Sequence, residues 1–306
     1  AALACAAGAR FKLGEMVALA PGQRGVTLAS GQTLAYDLLS LNVGSTLLPP
    51  QQPGTRLLSM RPLGGLHTAS EALWPELAAL AGTQPFVVTA VGGGAAGFES
   101  LLAVLQRLRG LMPARPLRGC LVSSGSTLLP GMAPGAVRSA IAALQHAGVE
   151  LQLDTVWRAP MAEGSDLLLW ATGAVAHAWQ RDAVRRGELR VSERDFVRID
   201  AQLRSVSHPE IFAVGDCAAW EPPLPKAGVY AVRMGPVLTH NLRAALAGRA
   251  LQSYSPQSKS LALLATGDGR AIASRGRWSA EGRWLWRWKD RIDRGFLRGF
   301  EDMGAR

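Results

Sequence analysis

The sequence predicts an α/β fold of two domains, and three observations predict it. An apolar run, Phe86 to Val91, leads into a cluster of glycines and then into a helical pattern. Two stretches share one plan, the first ending at Gly44 and the second at Gly173. A further apolar run, Ile211 to Val214, delivers Gly215-Asp216 directly before a segment expected to become helix. At 306 residues, 48% apolar and 18% charged, the chain can bury two cores.

The elements follow in order. Ala1 to Ala9 reads as the end of a helix that begins earlier, leading into a strand at Arg10 to Leu13. The first repeat continues through a turn at Pro21-Gly22, Val26 to Leu28, and Tyr36 to Leu41. The second runs from Gly148 through Val149 to Leu153, then Asp166 to Gly173, and is shorter. Each reads as a strand, an antiparallel excursion and a buried strand stopped by glycine. Between them the pattern predicts a βαβ unit. Its strands are Phe86 to Val91 and Leu117 to Val122, and its helices run over Ala95 to Leu108 and Ala136 to Ala147. Strands near Phe196 to Ile199 and Ile211 to Val214 precede a helix from Val229 to Leu246, which Gly248 stops.

Composition removes several classes. Cys5, Cys120 and Cys217 form no C-x-x-C pair, so neither a dithiol redox couple nor a zinc ribbon is indicated. The five histidines lack metal-ligand spacing, and no metal site is expected. No apolar stretch reaches the roughly 18 residues of a spanning helix. The net charge is +10, but Arg270 to Arg306 alone holds ten Lys/Arg against five Asp/Glu, with four of the nine Trp. Such local charge points to an anionic surface and away from nucleic acid.

Gly92-Gly93-Gly94-Ala95-Ala96-Gly97 lies between a strand and a helix, the setting a dinucleotide-binding turn needs. Gly92 would permit the turn, Gly94 would let backbone amides approach a pyrophosphate, and Gly97 would let helix and strand pack closely. The competing reading is a Gly-rich connector that holds nothing. The acidic ribose reader expected about 20 residues on is missing: residues 100 to 149 contain no Asp or Glu. Arg107, Arg109, Arg115 and Arg118 stand in that stretch, so either the site takes a 2′-phosphate or nicotinamide binding is weak or lost.

Asp216, at the end of a buried strand, can accept a hydrogen bond from a sugar-like hydroxyl, or it can cap the following helix. Lys226 follows Pro222-Pro223-Leu224-Pro225. It is either a cation that stabilises negative charge at a cofactor or acceptor, or a surface residue of a stiff loop. In Trp278 to Phe300, Trp284, Trp288 and Ile292 share a helical face, with Phe296 and Phe300 near it and Arg283, Arg287, Arg291, Arg294 and Arg298 interleaved. That pattern suits a helix lying on anionic lipid, and equally one docked on the protein body.

The order Tyr36-Asp37-x-Leu39 to Gly44-Ser45, then Gly92-x-Gly94-x-x-Gly97, then Ala171-Thr172-Gly173, then Gly215-Asp216 resembles pyridine nucleotide-disulfide oxidoreductase-like flavoproteins. Lacking a C-x-x-C, the chain is similar to their type II NADH dehydrogenase and sulfide:quinone reductase branch. A closer resemblance is to the flavoprotein module fused to, or beside, selenide, water dikinase (selenophosphate synthetase). The residues behind it are Lys226 to Arg233, Gly235-Pro236-Val237-Leu238, Thr266-Gly267-Asp268 and Trp286 to Asp293. The resemblance implies two Rossmann-like three-layer (ββα) dinucleotide-binding domains. Gly215-Asp216 would hold the ribityl chain of FAD, with Gly44-Ser45 nearby, and Thr172-Gly173 would mark the return to the flavin domain. Such proteins open with a Gly-rich strand–turn–helix for the ADP half of FAD. Nothing before Gly8 supplies it, so the expectation is a chain truncated by that βαβ unit and holding FAD poorly by itself.

The expected plan is a discontinuous FAD domain, residues 1–70 and 174–256, around an NAD(P)-type domain, 71–173, with a C-terminal amphipathic segment, 257–306. The expected activity passes electrons from NAD(P)H through FAD to a quinone or a selenium/sulfur acceptor, in the cytoplasm or at the inner face of the membrane. The competing expectation is a nucleotide-binding or docking module that partners a selenophosphate synthetase with little redox turnover.

Overall fold

The computed structural model describes residues 2–51, 55–80 and 82–304, the side chains of Ala162 and of 301–304 excepted. The chain divides into two compact units. Unit 1 comprises 1–9, 47–173 and 259–306, and unit 2 comprises 10–46 and 174–258.

Unit 1 is built on a five-stranded, all-parallel sheet. Its spatial order is Arg56–Ser59, Leu167–Trp170, Phe86–Val91, Leu117–Val122 and Val149–Gln152. The first strand, Arg56–Ser59, lies at one edge; the chain then enters the middle at Phe86, steps outward twice, and returns to Leu167–Trp170 between those two. The order therefore reverses between Phe86–Val91 and Leu167–Trp170, the arrangement of a Rossmann-like sheet. Unbroken apolar runs form these strands because both faces are covered: Phe86, Val88, Ala90, Leu167, Leu168 and Leu169 are fully buried. The helix Ala95–Leu111 buries Phe98, Leu101, Leu102, Leu105 and Leu108, one stripe at helical spacing. The helix Pro134–His146 has proline at its start, where the missing N–H costs nothing. Gly148, at φ +74, follows its end.

The tail belongs to the same core. Ala262–Ala265, Ala271–Arg275 and Trp278–Gly282 form an antiparallel sheet, and Leu264 and Ile272 join the hydrophobic cluster of the parallel sheet. Two polar contacts fix its placement: the Ala265 amide donates to the Glu99 carboxylate (2.8 Å) and the Ala133 amide to Ser274 Oγ (2.9 Å). At the Thr266-Gly267-Asp268 turn, a Cβ on Gly267 would lie 2.8 Å from the Leu102 carbonyl oxygen. The helix Arg283–Gly304 follows.

Unit 2 carries an antiparallel sheet, Met16–Ala20, Gly25–Leu28 and Thr33–Ala35, and a parallel pair, Leu39–Leu41 with Ile211–Ala213. Val197–Arg198 pairs with Ala218–Ala219. The helix Gly228–Leu246 is tied down by the fully buried Asn241. Its carboxamide donates to the carbonyls of Gln202 and Gln252 and accepts from the Gln252 amide, so a costly buried polar group is satisfied.

Several expectations need correction. Arg10 to Leu13 is not a strand; the first strand begins at Met16. The second repeat has no antiparallel excursion, only a short 3-10 turn at Ala159–Ala162. Trp278 lies in a strand and the tail helix begins at Arg283, because residues 278–282 pair with 271–275. The strand Arg56–Ser59 and the helix Leu63–Ala78 had no counterpart in the pattern reading. Proline at 75 and glycines at 64 and 65 obscured that helix.

Leu105 touches nothing but core, so Leu105→Ala is expected to lower stability by about 2–5 kcal/mol in urea denaturation. Leu297→Ala, at a position 58% exposed, is expected to stay within about 0.5 kcal/mol of the parent.

Candidate functional site

In unit 1 the glycine cluster forms the corner between the central strand and the helix Ala95–Leu111. Gly92 has φ +128, and a Cβ there would lie 2.3 Å from the carbonyl oxygen of Ala171. A Cβ on Gly97 would lie 1.9 Å from the Gly92 carbonyl oxygen, and one on Gly93 2.6 Å from Ser123 Oγ. Gly94 differs: its missing Cβ would meet no protein atom within 4 Å. Gly94 is also the residue that opens the helix, and no side chain caps its first turn. First-turn amides find no carbonyl within their own helix, so the corner presents N–H groups and a positive dipole end to an open space. Ala171-Thr172-Gly173 leaves the adjacent strand at the same end, and the Ala171 amide donates to Val91 (2.9 Å). Structure thus brings Gly92, Gly94, Gly97, Thr172 and Gly173 to the point where the strand order reverses, the usual ligand crevice of such sheets.

The arginines are elsewhere. Arg115 donates to the Gln84 carbonyl and stacks over Phe86, the first residue of its strand. Arg109 donates to the Ala147 carbonyl, just before the strand Val149–Gln152. Arg118 is the second residue of its strand, and Arg107 lies in the last third of the helix Ala95–Leu111. All four stand toward the amino ends of the strands, opposite the glycine corner, so none supplies the 2′-phosphate reader they were available for. At the carboxyl end the exposed Ser124-Gly125-Ser126-Thr127 follows the buried Ser123.

In unit 2 the parallel pair ends in two matched turns. Gly44 and Gly215 both have φ +69, and a Cβ on Gly215 would sit 3.0 Å from both Asn42 Oδ1 and the Ala231 Cβ. Ser45 Oγ donates to Asp216 Oδ2 (3.4 Å), joining residues far apart in sequence. Asp216 lies in the 3-10 turn Gly215–Cys217, and the helix begins only at Gly228 with Ala227 as its cap. The expectation of a helix directly after Asp216, and of a capping role for its carboxylate, is therefore overturned. The helix still reaches the turn through Ala231 and through Met234, whose sulfur lies 3.5 Å from the Gly215 amide.

Lys226 is half-buried. Its ammonium donates to the Ala218 carbonyl (2.5 Å) and sits 3.8 Å above the ring centroid of Phe196. With Gly215 and Asp216 it lines a void of about 20 Å³, room for one water. Sequence reasoning missed Phe196 as its platform, since a lone aromatic just before a two-residue strand carries no pattern. Burial pushes the Cys217 thiol up, and burial with nearby Glu150 pushes Cys120 up to about 11, so both are poor nucleophiles. Burial also raises the Glu99 carboxyl, opposed by the Ala265 amide and Lys289. Among the described residues no cluster of side chains suits a metal ion.

The family model described as pyridine nucleotide-disulphide oxidoreductase matches residues 4–241. The chain belongs to that family. Solved structures share its fold at low identity. The sulfide:quinone oxidoreductase of Aquifex aeolicus is 16% identical, with a TM-score of 0.74 over 96% of this chain and 76% of that one. NDH2 of Plasmodium falciparum, solved in complex with NADH, is 12% identical, with a TM-score of 0.71 over 92% and 79%. The ferredoxin reductase for the CYP199A2 system of Rhodopseudomonas palustris is 19% identical, with a TM-score of 0.63 over 87% and 64%. This chain spans less than two thirds of that last protein.

Two glycine variants separate packing from binding. Gly97→Ala is expected to cost about 3 kcal/mol or more in denaturant unfolding, since its methyl would overlap backbone. Gly94→Ala is expected to keep the parent's stability and to lose most binding in an NADH fluorescence titration, because its methyl would occupy the open space at the amides.

Proposed function

We propose that the chain is part of a flavin-dependent oxidoreductase that passes electrons from NAD(P)H through FAD to a quinone or a selenium/sulfur acceptor. The observation that carries this reading is the unit 1 corner. Its close backbone approaches at Gly92 and Gly97 hold the amides in place, while the open side of Gly94 leaves space for a pyrophosphate. Membership of the family supports the reaction class.

The second cofactor is supported in part. Asp216, bonded to Ser45 and set beside Gly44, offers an acceptor for the hydroxyls of a polyol chain such as the ribityl of FAD. The described residues of unit 2 contain no Gly-rich strand–turn–helix for the adenosine half. When bound, the flavin would supply the electron chemistry. The chain's own work is positioning and electrostatics. Lys226, steadied by Ala218 and Phe196, would hold positive charge where an acceptor gains negative charge.

The tail supports contact with a membrane surface. Leu285 is fully buried, whereas Trp284, Trp288, Ile292 and Phe296 remain 40–55% exposed along one row. No described helix is long and apolar enough to cross a membrane; a helix with this row and interleaved arginines can lie on one.

A second reading rests on the missing ribose reader: a docking module beside a selenophosphate synthetase, with little redox turnover. The loop Ser123 to Thr127 offers hydroxyls where a carboxylate is usual, and the arginines stand at the other end of the sheet.

The visible spectrum of the purified protein containing this chain decides between them. The oxidoreductase reading expects flavin absorbance that NADH or NADPH bleaches, and loss of the chromophore in Asp216→Ala. A docking module shows no bleaching, and full flavin occupancy in Asp216→Ala would remove that residue as the anchor.

A further inference from the structure

The strand Leu117–Val122 leads into a loop without an acidic residue, yet folding brings a carboxylate to that end of the sheet from the next strand. We propose that Asp154 contacts the adenosine ribose of a dinucleotide at the glycine corner of unit 1 and makes the site select NAD(H) over NADP(H). The proposal rests on nucleotide binding at that corner, as in the proposed function, and names the form that is bound.

Backbone pairing places Asp154. Val149–Gln152 runs parallel to Leu117–Val122 with Gln152 opposite Val122, so both chains leave the same edge of the sheet together. Their pairing continues beyond the strands. The Ser123 amide donates to the Gln152 carbonyl (2.8 Å), the Thr155 amide to the Ser123 carbonyl (2.9 Å) and the Asp154 amide to the Gly125 carbonyl (3.1 Å). Ser123 in turn touches the corner, where a Cβ on Gly93 would lie 2.6 Å from its Oγ. A single residue, Ser123, therefore links the Asp154-Thr155 turn to the corner. Asp154 sits at φ +50, a left-handed conformation that Asp and Asn adopt more readily than other side chains do. It is exposed, and among the described residues its carboxylate forms no ion pair.

Charge gives the direction of the preference. A carboxylate accepts hydrogen bonds from ribose hydroxyls, whereas a 2′-phosphate presents acceptors and a charge of about −1.5 to −2. Beside Asp154 that charge is repelled unless a cation intervenes. Arg107, Arg109, Arg115 and Arg118 stand at the amino ends of the strands. The Arg138 guanidinium lies by Gly135, which packs on Ser279 of the tail sheet. Arg158 follows Trp157, whose ring meets that of Trp170 (5.2 Å) on the other side of Phe86–Val91. Ser124, Ser126 and Thr127 are neutral and can bond either form of the nucleotide, so Asp154 sets the choice.

Calorimetric titration of the purified protein containing this chain tests it. The probes are NAD+ and NADP+, whose oxidised nicotinamides leave a bound flavin unchanged. NAD+ is expected to bind about tenfold tighter than NADP+. Asp154→Asn keeps a residue suited to the left-handed turn and removes the charge. It is expected to tighten NADP+ about fivefold and weaken NAD+ about twofold, which erases the preference. Gly94→Ala is expected to lose most binding of both. Failure takes two distinguishable forms. If neither nucleotide binds the parent, or binding survives Gly94→Ala, the corner holds no dinucleotide and the reading beneath the inference falls with it. If both bind and Gly94→Ala removes both, the inference alone is overturned by equal affinities in the parent or by a preference for NADP+. It is also overturned alone if Asp154→Asn changes both affinities by the same factor or changes neither.

Discussion

The carbonyl oxygens of Ala171 and Gly92 lie so close to the backbones of Gly92 and Gly97 that neither glycine has room for a methyl group. Nearly everything useful about unit 1 depends on that approach. It brings the amino end of the helix Ala95–Leu111 to the carboxyl end of the central strand, at the place where the strand order reverses. The uncapped amides then stand at the mouth of the crevice and are not covered by side chains. Gly94 is a glycine for the opposite reason: protein leaves its side open. Three glycines in one short motif therefore answer three separate constraints, two steric and one of access.

Unit 2 solves a similar problem with polar contacts. Two left-handed glycines end neighbouring parallel strands, and Ser45 holds the Asp216 carboxylate from across the chain. The helix that steadies this turn is separated from it by a proline-rich loop, and Asn241 locks its far half to the loop at Gln252. Lys226 leaves that loop at its helix end and lies over Phe196, so a flexible side chain is held by a carbonyl and a ring face. A cation fixed in this way loses less entropy on meeting a charged ligand than a free one would.

Charge is distributed unevenly for structural reasons. Arg109 and Arg115 satisfy carbonyls at the amino ends of the strands, where they close the bottom of the sheet. The arginines of the tail helix instead flank aromatic side chains that the core does not take up. The same residue type thus seals backbone in one place and marks a surface in another.

The sequence by itself determined the α/β class, the strand–glycine–helix corner and the residues Gly92, Gly94, Gly97, Gly215 and Asp216 as candidates, because periodicity and glycine spacing report local backbone geometry. The surroundings of those residues were decided only in three dimensions. Ser45 meets Asp216, Phe196 supports Lys226, and Trp278 to Gly282 pairs as a strand although the Trp and Arg pattern of the tail had drawn Trp278 into the helical reading. The arginines considered for a 2′-phosphate stand at the amino ends of the strands: a helix antiparallel to its strand carries Arg107 and Arg109 there, and Arg115 and Arg118 lie where the next strand begins. Local spacing fixes which backbone a residue can adopt; contacts between distant segments fix what its side chain can touch, and only the packed chain supplies those.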